Sequence, residues 1–151
     1  MIAHLPGARI WYEDSGGNGI PVVFLHAGTG SCRLWINQEQ AFAQAGYRFV
    51  AYDRRGHGRT EVDPKLPQAA TAADDLQLLS NSMGFDAFHL VGTAAGGIVA
   101  IDFALSFPER LRSLVVANSI GGVQDEPYLA LMQRLRPTPL FDALPAEVRE
   151  V

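Results

Sequence analysis

The sequence predicts an α/β fold, a mostly parallel sheet with flanking helices, and three observations lead there. Short apolar runs of β-forming type (Val22 to Leu25, Tyr47 to Tyr52, Leu111 to Ala117) are separated by helix candidates. Val91 to Gly97, VGTAAGG, joins an apolar strand to an almost wholly apolar helix, with small residues where two backbones would crowd. Strand and helix alternate repeatedly, which calls for parallel strands and right-handed crossovers.

Composition narrows the class. A chain of 151 residues, 48% apolar and 19% charged, is expected to fold as one domain with a real core. The net charge of −4 argues against nucleic acid or a membrane surface as partner. Arg54, Arg55 and Arg59 form the only basic cluster, which reads as a solvated or structural loop and not as a phosphate site. Cys32 is the single cysteine, so no internal disulfide is possible. The start, MIAHLPGARI, lacks the pattern of a secretory signal. The uncharged stretch from Ala87 to Ile101 is cut by glycines and ended by Asp102 before it could span a bilayer. A cytoplasmic protein is expected.

Taken in order, Ala8 to Ser15 alternates loosely and stops at Gly16-Gly17-Asn18-Gly19, which predicts two early strands in an antiparallel edge. Val22 to Leu25 reads as a strand covered on both faces. A small-residue loop, His26 to Ser31, leads to a helix over 34–45 with Trp35, Phe42 and Ala45 as its apolar side. Tyr47 to Tyr52 is the next strand, followed by the loop DRRGHGR, in which Asp53 is expected to accept hydrogen bonds that anchor it. After a polar linker, Thr71 caps a helix with Asp74 three residues on, and Leu76, Leu79 and Met83 lie on one stripe. Asp86 to Val91 is the strand into the corner. Gly96 to Phe107 is the apolar helix, whose Asp102 is read as an end-of-helix contact, and Leu111 to Ala117 is a further strand. Beyond Asn118, a short amphipathic helix over 128–135 precedes a segment broken by Pro137, Pro139 and Pro145.

Four stretches, VVFLHAGTG (22–30), YDRRGHGRT (52–60), HLVGTAAGG (89–97) and FPERLRSLVVANS (107–119), together resemble the N-terminal half of an α/β-hydrolase. The resemblance implies an eight-stranded, mostly parallel sheet of the α/β-hydrolase type, incomplete at its C-terminal end, with six strands supplied here. Residues 1–119 would be the N-terminal part of the core, and 120–151 the start of a lid. It also implies that Gly92-Thr93-Ala94-Ala95-Gly96 is the nucleophile elbow, with Ala94 in the place of the serine. Backbone N–H groups of Gly28 and Ala95 would form the oxyanion hole. Ala27, which stands for the family's usual glycine, Thr29 and Thr93 would flank the binding site.

The departures carry equal weight. The family's acid and histidine normally follow later strands, and Asn118 and Ser119 occupy the one earlier position where some members place the acid. A natural replacement and an engineered knockout both explain Ala94. A truncated chain, a nicked one and a short protein all explain the length. A sheet ended after Ala117 would expose an apolar edge, so a C-terminal complement is expected, as continuation or as separate chain.

No metal is expected, because His4, His26, His57 and His89 show no metal-ligand spacing, and no cofactor is expected. His57 reads as a structural loop histidine and Cys32 as an inert thiol. The leading functional reading is a scaffold for hydrolysis of a small-molecule ester, lactone, thioester or activated C–C bond. A non-catalytic ligand-binding protein on the same fold is the alternative. An NAD(P)-binding oxidoreductase, suggested by Gly28-Thr29-Gly30 and Asp53, lacks its third glycine because position 33 is Arg.

Overall fold

Runs of β-branched and aromatic residues pair into one sheet in a computed structural model, which describes residues 1–122 and 125–135. The strands are β1 (Ile2–Leu5), β2 (Ala8–Asp14), β3 (Pro21–Leu25), β4 (Arg48–Tyr52), β5 (Glu61–Val62), β6 (Phe88–Thr93) and β7 (Leu111–Ala117). Their order is β1-β2-β4-β3-β6-β7, with β5 attached to β2. β3 pairs in parallel with β4 and β6, and β6 in parallel with β7, while β1, β2 and β5 are antiparallel additions at one side.

Four helices complete the described residues: α1 (Ile36–Gln44), α2 (Ala72–Ser82), α3 (Ala95–Ser106) and α4 (Glu126–Leu135). The pleat divides the core in two. Val23 and Leu25 of β3 face Leu76 and Leu79 of α2 and Phe103 of α3, whereas Val22 and Phe24 face Trp35 and Phe42 beside α1. Both faces of β3 are therefore covered, which is why four apolar residues run without a polar break. The register sets Leu25 opposite both Tyr52 and Gly92, so the loops after β3, β4 and β6 leave the sheet side by side.

Several elements differ from the sequence reading. The first strand lies before Gly7, at Ile2–Leu5, and Ala8–Asp14 is a single strand paired with it. The helix expected over 34–45 is split into a 3₁₀ turn, Cys32–Trp35, and α1, and Ala45 is exposed and does not pack on the apolar side. The polar linker contains β5, whose Glu61 pairs with Arg9 at 2.8 Å. Asp102 sits exposed in the middle of α3, so it is a solvated side chain and makes no end contact.

β7 pairs only with β6 among the described residues and is exposed along nearly its whole length, with Val115 at 51%. Pro137, Pro139 and Pro145 lie outside the described residues, as does most of the segment read as the start of a lid. No helix among the described residues is long and apolar enough to cross a membrane.

α2 begins as its cap predicts. The Thr71 hydroxyl accepts the Asp74 N–H at 3.0 Å, and the Asp74 carboxylate accepts the Thr71 N–H at 3.0 Å, satisfying two donors at the helix start that have no intrahelical acceptor. Thr71→Ala is expected to lower stability by about 1 kcal/mol, and Thr71→Ser to recover most of it. Urea unfolding monitored by circular dichroism checks both.

Candidate functional site

The sharp corner between β6 and α3 is built on one strained residue. Ala94 has φ 49° and ψ −116°, a left-handed conformation that a residue with a Cβ adopts at a cost of about 1–3 kcal/mol. Three hydrogen bonds hold it there: its N–H donates to Ala117 O at 3.1 Å, and its carbonyl accepts from Gly97 N at 3.0 Å and from Ser119 Oγ at 2.7 Å. Glycines make the corner possible. A methyl group on Gly92 would collide with the Gly96 carbonyl, and one on Gly96 with the Leu25 and His26 carbonyls.

The loop after β3 stands against this corner. A methyl group built on Gly28 would lie 3.5 Å from the Ala95 methyl. No acceptor among the described residues takes the N–H of Gly28 or of Ala95. The helix after β3 covers one face of the sheet and the helix after β6 covers the other, so the two loops diverge and leave a crevice at the carboxyl ends of neighbouring strands. Open α/β sheets bind ligands at such a switch in direction. A cleft of about 880 Å³ opens beside it, lined by residues 27–31, Leu34, residues 56–58 and Thr60.

Polar groups hold the cleft walls. His26 is fully buried, its Nδ1 lies 2.6 Å from Ala27 O, and its Nε2 accepts the Arg54 N–H at 3.1 Å, which places the proton of the neutral ring on Nδ1. Burial pushes its pKa down to about 4, with Arg54 and His57 adding to the fall against the opposing Ala27 hydrogen bond. Arg54 Nη2 donates to the carbonyls of His26 and Ala27 at 3.2 and 3.0 Å. His57 bridges the two loops, with Nε2 2.9 Å from Gly28 O and Nδ1 3.0 Å from Arg55 O.

Asp53, also fully buried, accepts the N–H of Cys32 at 2.6 Å and of Arg59 at 2.7 Å, so it ties both loops to the sheet as expected from the sequence. The arginine cluster is structural. Arg55 grips Asp75 through Nε at 2.6 Å and Nη2 at 2.8 Å, while Arg59 reaches Glu13 at 3.1 Å and lies 4.0 Å over the Trp11 ring. Cys32 is 0% exposed, and burial pushes its pKa up to about 12, assisted by Asp53, so the thiol stays protonated.

Of the residues singled out in the sequence, Ala27, Gly28 and Thr29 line the cleft. Thr93, Ala94 and Ala95 form the half-buried corner beside Gly28 and are not part of the cleft lining. Ser119, His26 and Arg54 are positioning residues that pattern reading missed. Only the glycine at 97, whose added methyl would meet Ser119 Cβ at 2.5 Å, hinted that something must pass close by. No group of three or more metal-binding side chains converges among the described residues.

A parallel sheet with a crevice at its switch point, under a strained strand-to-helix corner, defines an α/β protein with its candidate site at the carboxyl strand ends. The family model described as alpha/beta hydrolase fold matches residues 20–149, and the chain belongs to that family. It is 35% identical over 119 residues to a non-heme chloroperoxidase of Streptomyces lividans, covering 78% of this chain and 43% of the relative. It is 39% identical over 123 residues to a putative carbamate hydrolase, RutD, of Caulobacter vibrioides, covering 78% and 44%. Its fold matches a structure from work on carboxylesterases of the thaumarchaeon Nitrososphaera gargenis with a TM-score of 0.76 at 26% identity, covering 90% of this chain and 52% of that one. The chain thus spans less than half the length of these two curated relatives.

The buried neutral histidine makes stability depend on pH. Between about 4 and the unfolded value near 6.5, the unfolded chain binds a proton that the native state refuses. The stabilisation is complete above 6.5 and is lost as pH falls toward 4, by on the order of 3 kcal/mol. Urea unfolding at pH 4.5, 5.5 and 7 is expected to show this slope, and His26→Gln to flatten it. An equal slope in the variant would assign the titration to another group.

Proposed function

We propose that this chain is the N-terminal part of a hydrolase scaffold that directs a nucleophile at a carbonyl carbon of an ester, lactone, thioester or activated C–C bond. The observation that carries this reading is the strained φ of Ala94 at a corner adjoining Gly28. A residue held at such cost with a small side chain projects from a tight turn, where a hydroxyl would be freed from competing contacts. Position 94 is then the nucleophile position. The amides of Gly28 and Ala95 are the donors for the oxyanion, whose charge develops only in the transition state. Ala27 and Thr29 in the cleft wall and Thr93 at the corner bind the substrate. The start of α3 adds its positive dipole end.

With serine at position 94, a histidine would take its proton and return it to the leaving group, oriented by an acid. Both partners would come from the C-terminal half of the fold, as continuation of this chain or as a separate polypeptide, and residues from 120 onward would begin the lid over the substrate. With Ala94 the attack has no oxygen to make it, and what remains is binding plus charge stabilisation, roughly 10³–10⁴-fold over water in comparable knockouts. The names of the relatives fit carbonyl chemistry, since carboxylesterases and a carbamate hydrolase both take a carbonyl carbon bonded to a heteroatom as target.

The methyl of Ala94 also favours a second reading, a ligand-binding member of the fold that performs no chemistry. Ala94→Ser in the complete protein, assayed on a panel of small esters and lactones, separates the two. Turnover rising by several orders of magnitude is expected if the scaffold is catalytic. Continued silence together with tight binding of the same compounds would establish the binder.

A further inference from the structure

The three arginines of the loop after β4 are not equivalent. Arg55 is matched by Asp75 and Arg59 by Glu13, whereas Arg54 has no carboxylate within ion-pairing distance among the described residues. Desolvation pushes its guanidinium below the ordinary pKa, as expected of a charge drawn out of water without a counterion. Withdrawing such a charge from water costs free energy, and a neutral amide side chain could make similar hydrogen bonds at lower cost. What sets Arg54 apart is therefore where its charge is pointed.

Arg54 is aimed at the loop after β3. Its Nη2 donates to the carbonyls of His26 and Ala27, and its main-chain N–H donates to His26 Nε2, which fixes the side chain at its root. That last bond leaves the proton of the ring on Nδ1, 2.6 Å from the same Ala27 oxygen. Ala27 O thus accepts from two side chains, one of them a cation. The Ala27 carbonyl and the Gly28 N–H belong to one planar trans peptide group, so they point in opposite directions. Two donors on the oxygen set the direction of the N–H, and they polarise the group so that its hydrogen carries more positive charge. The hold matters because Gly28 has no Cβ and offers little torsional resistance to a flip of this peptide. A flip would break both hydrogen bonds to Ala27 O and turn the N–H toward the guanidinium.

We infer that Arg54 is a positioning residue for the oxyanion: its charge, acting through the peptide that joins Ala27 and Gly28, orients and strengthens the Gly28 N–H as a donor. This rests on the proposed reading of that N–H as an oxyanion donor and of position 94 as the nucleophile position. The Gly28 N–H is free for the task, since it meets no acceptor among the described residues. Arg54 touches no substrate in this arrangement and works from behind the loop. Its effect is larger in the transition state than in the ground state, because only there does full negative charge form opposite the amide.

Two experiments separate this inference from the reading beneath it. In the full chain with Ala94 in place, NMR of the Ala27 carbonyl carbon and the Gly28 amide proton reports the polarised peptide without any turnover. Both resonances are expected to move upfield in Arg54→Gln and to return toward their parent positions in Arg54→Lys, which keeps the charge. Both variants should fold, because removing Arg54 leaves no carboxylate unpaired. In the complete protein carrying Ala94→Ser, Arg54→Gln is expected to lower kcat about ten-fold, less than the loss of a whole oxyanion donor, with KM within about two-fold. Arg54→Lys should recover most of kcat, and Arg59→Gln, which removes one charge from the same loop, should change neither constant. Resonances that stay in place, a loss confined to KM, or equal losses in Arg54→Lys and Arg54→Gln would overturn the inference and leave the hydrolase reading standing. Resonances that move in a protein whose Ala94→Ser form stays silent would sink that reading, and the role given to Arg54 with it.

Discussion

A close approach of backbones, where the start of α3 presses on the ends of β3 and β6, governs the corner around it. Gly92 and Gly96 are the contact points, and the carbonyls of Leu25, His26 and Gly96 occupy the space that any side chain there would need. With no Cβ at either position, the helix starts directly over the sheet, and the chain has room for only one residue to make the reversal. That residue is Ala94, and its left-handed backbone follows from the lack of space. The adjacency of Ala95 and Gly28 follows in turn, because the same contact sets the first turn of α3 against the end of β3.

Around this backbone contact the loops are held by groups that cost free energy to bury and are used accordingly. Asp53 accepts two main-chain N–H groups from different loops, and His26 stays neutral so that one nitrogen can donate and the other accept. The Arg55 and Asp75 pair joins the loop after β4 to α2 through two hydrogen bonds, which gives it a fixed geometry that a single contact would not. These interactions lie on the side of the sheet where strands end level, so the polar framework and the crevice occupy the same layer.

Much of this layer was legible in the residues. The unbroken run Val22 to Leu25 could be buried only between two layers, and the glycine spacing around Ala94 announced a tight corner. Thr71 and Asp74 marked the start of a helix with chemistry that works at short range. Legibility failed where the deciding partner is remote in sequence. Ser119 supports Ala94 from 25 positions away, and β5 exists because Glu61 and Val62 meet the edge of β2, not because two residues have any strand-forming power of their own. Ala45 fits an apolar stripe on a helical wheel, yet α1 ends at Gln44, and Ala45, its C-cap, lies in solvent. The exposed faces of β7 belong to a third case, in which apolar composition is plain and its covering is not among the described residues.

Cys32 has a practical consequence. Its sulfur is sealed beneath the loop after β3 and held in the protonated form, so it offers maleimides and iodoacetamides neither access nor thiolate. The native protein thus behaves toward such reagents as a cysteine-free background. A single cysteine introduced on an exposed rim of the cleft, at Thr29 for instance, would become the sole attachment point for a fluorophore or spin label. Movements of that loop could then be followed directly in the unaltered scaffold.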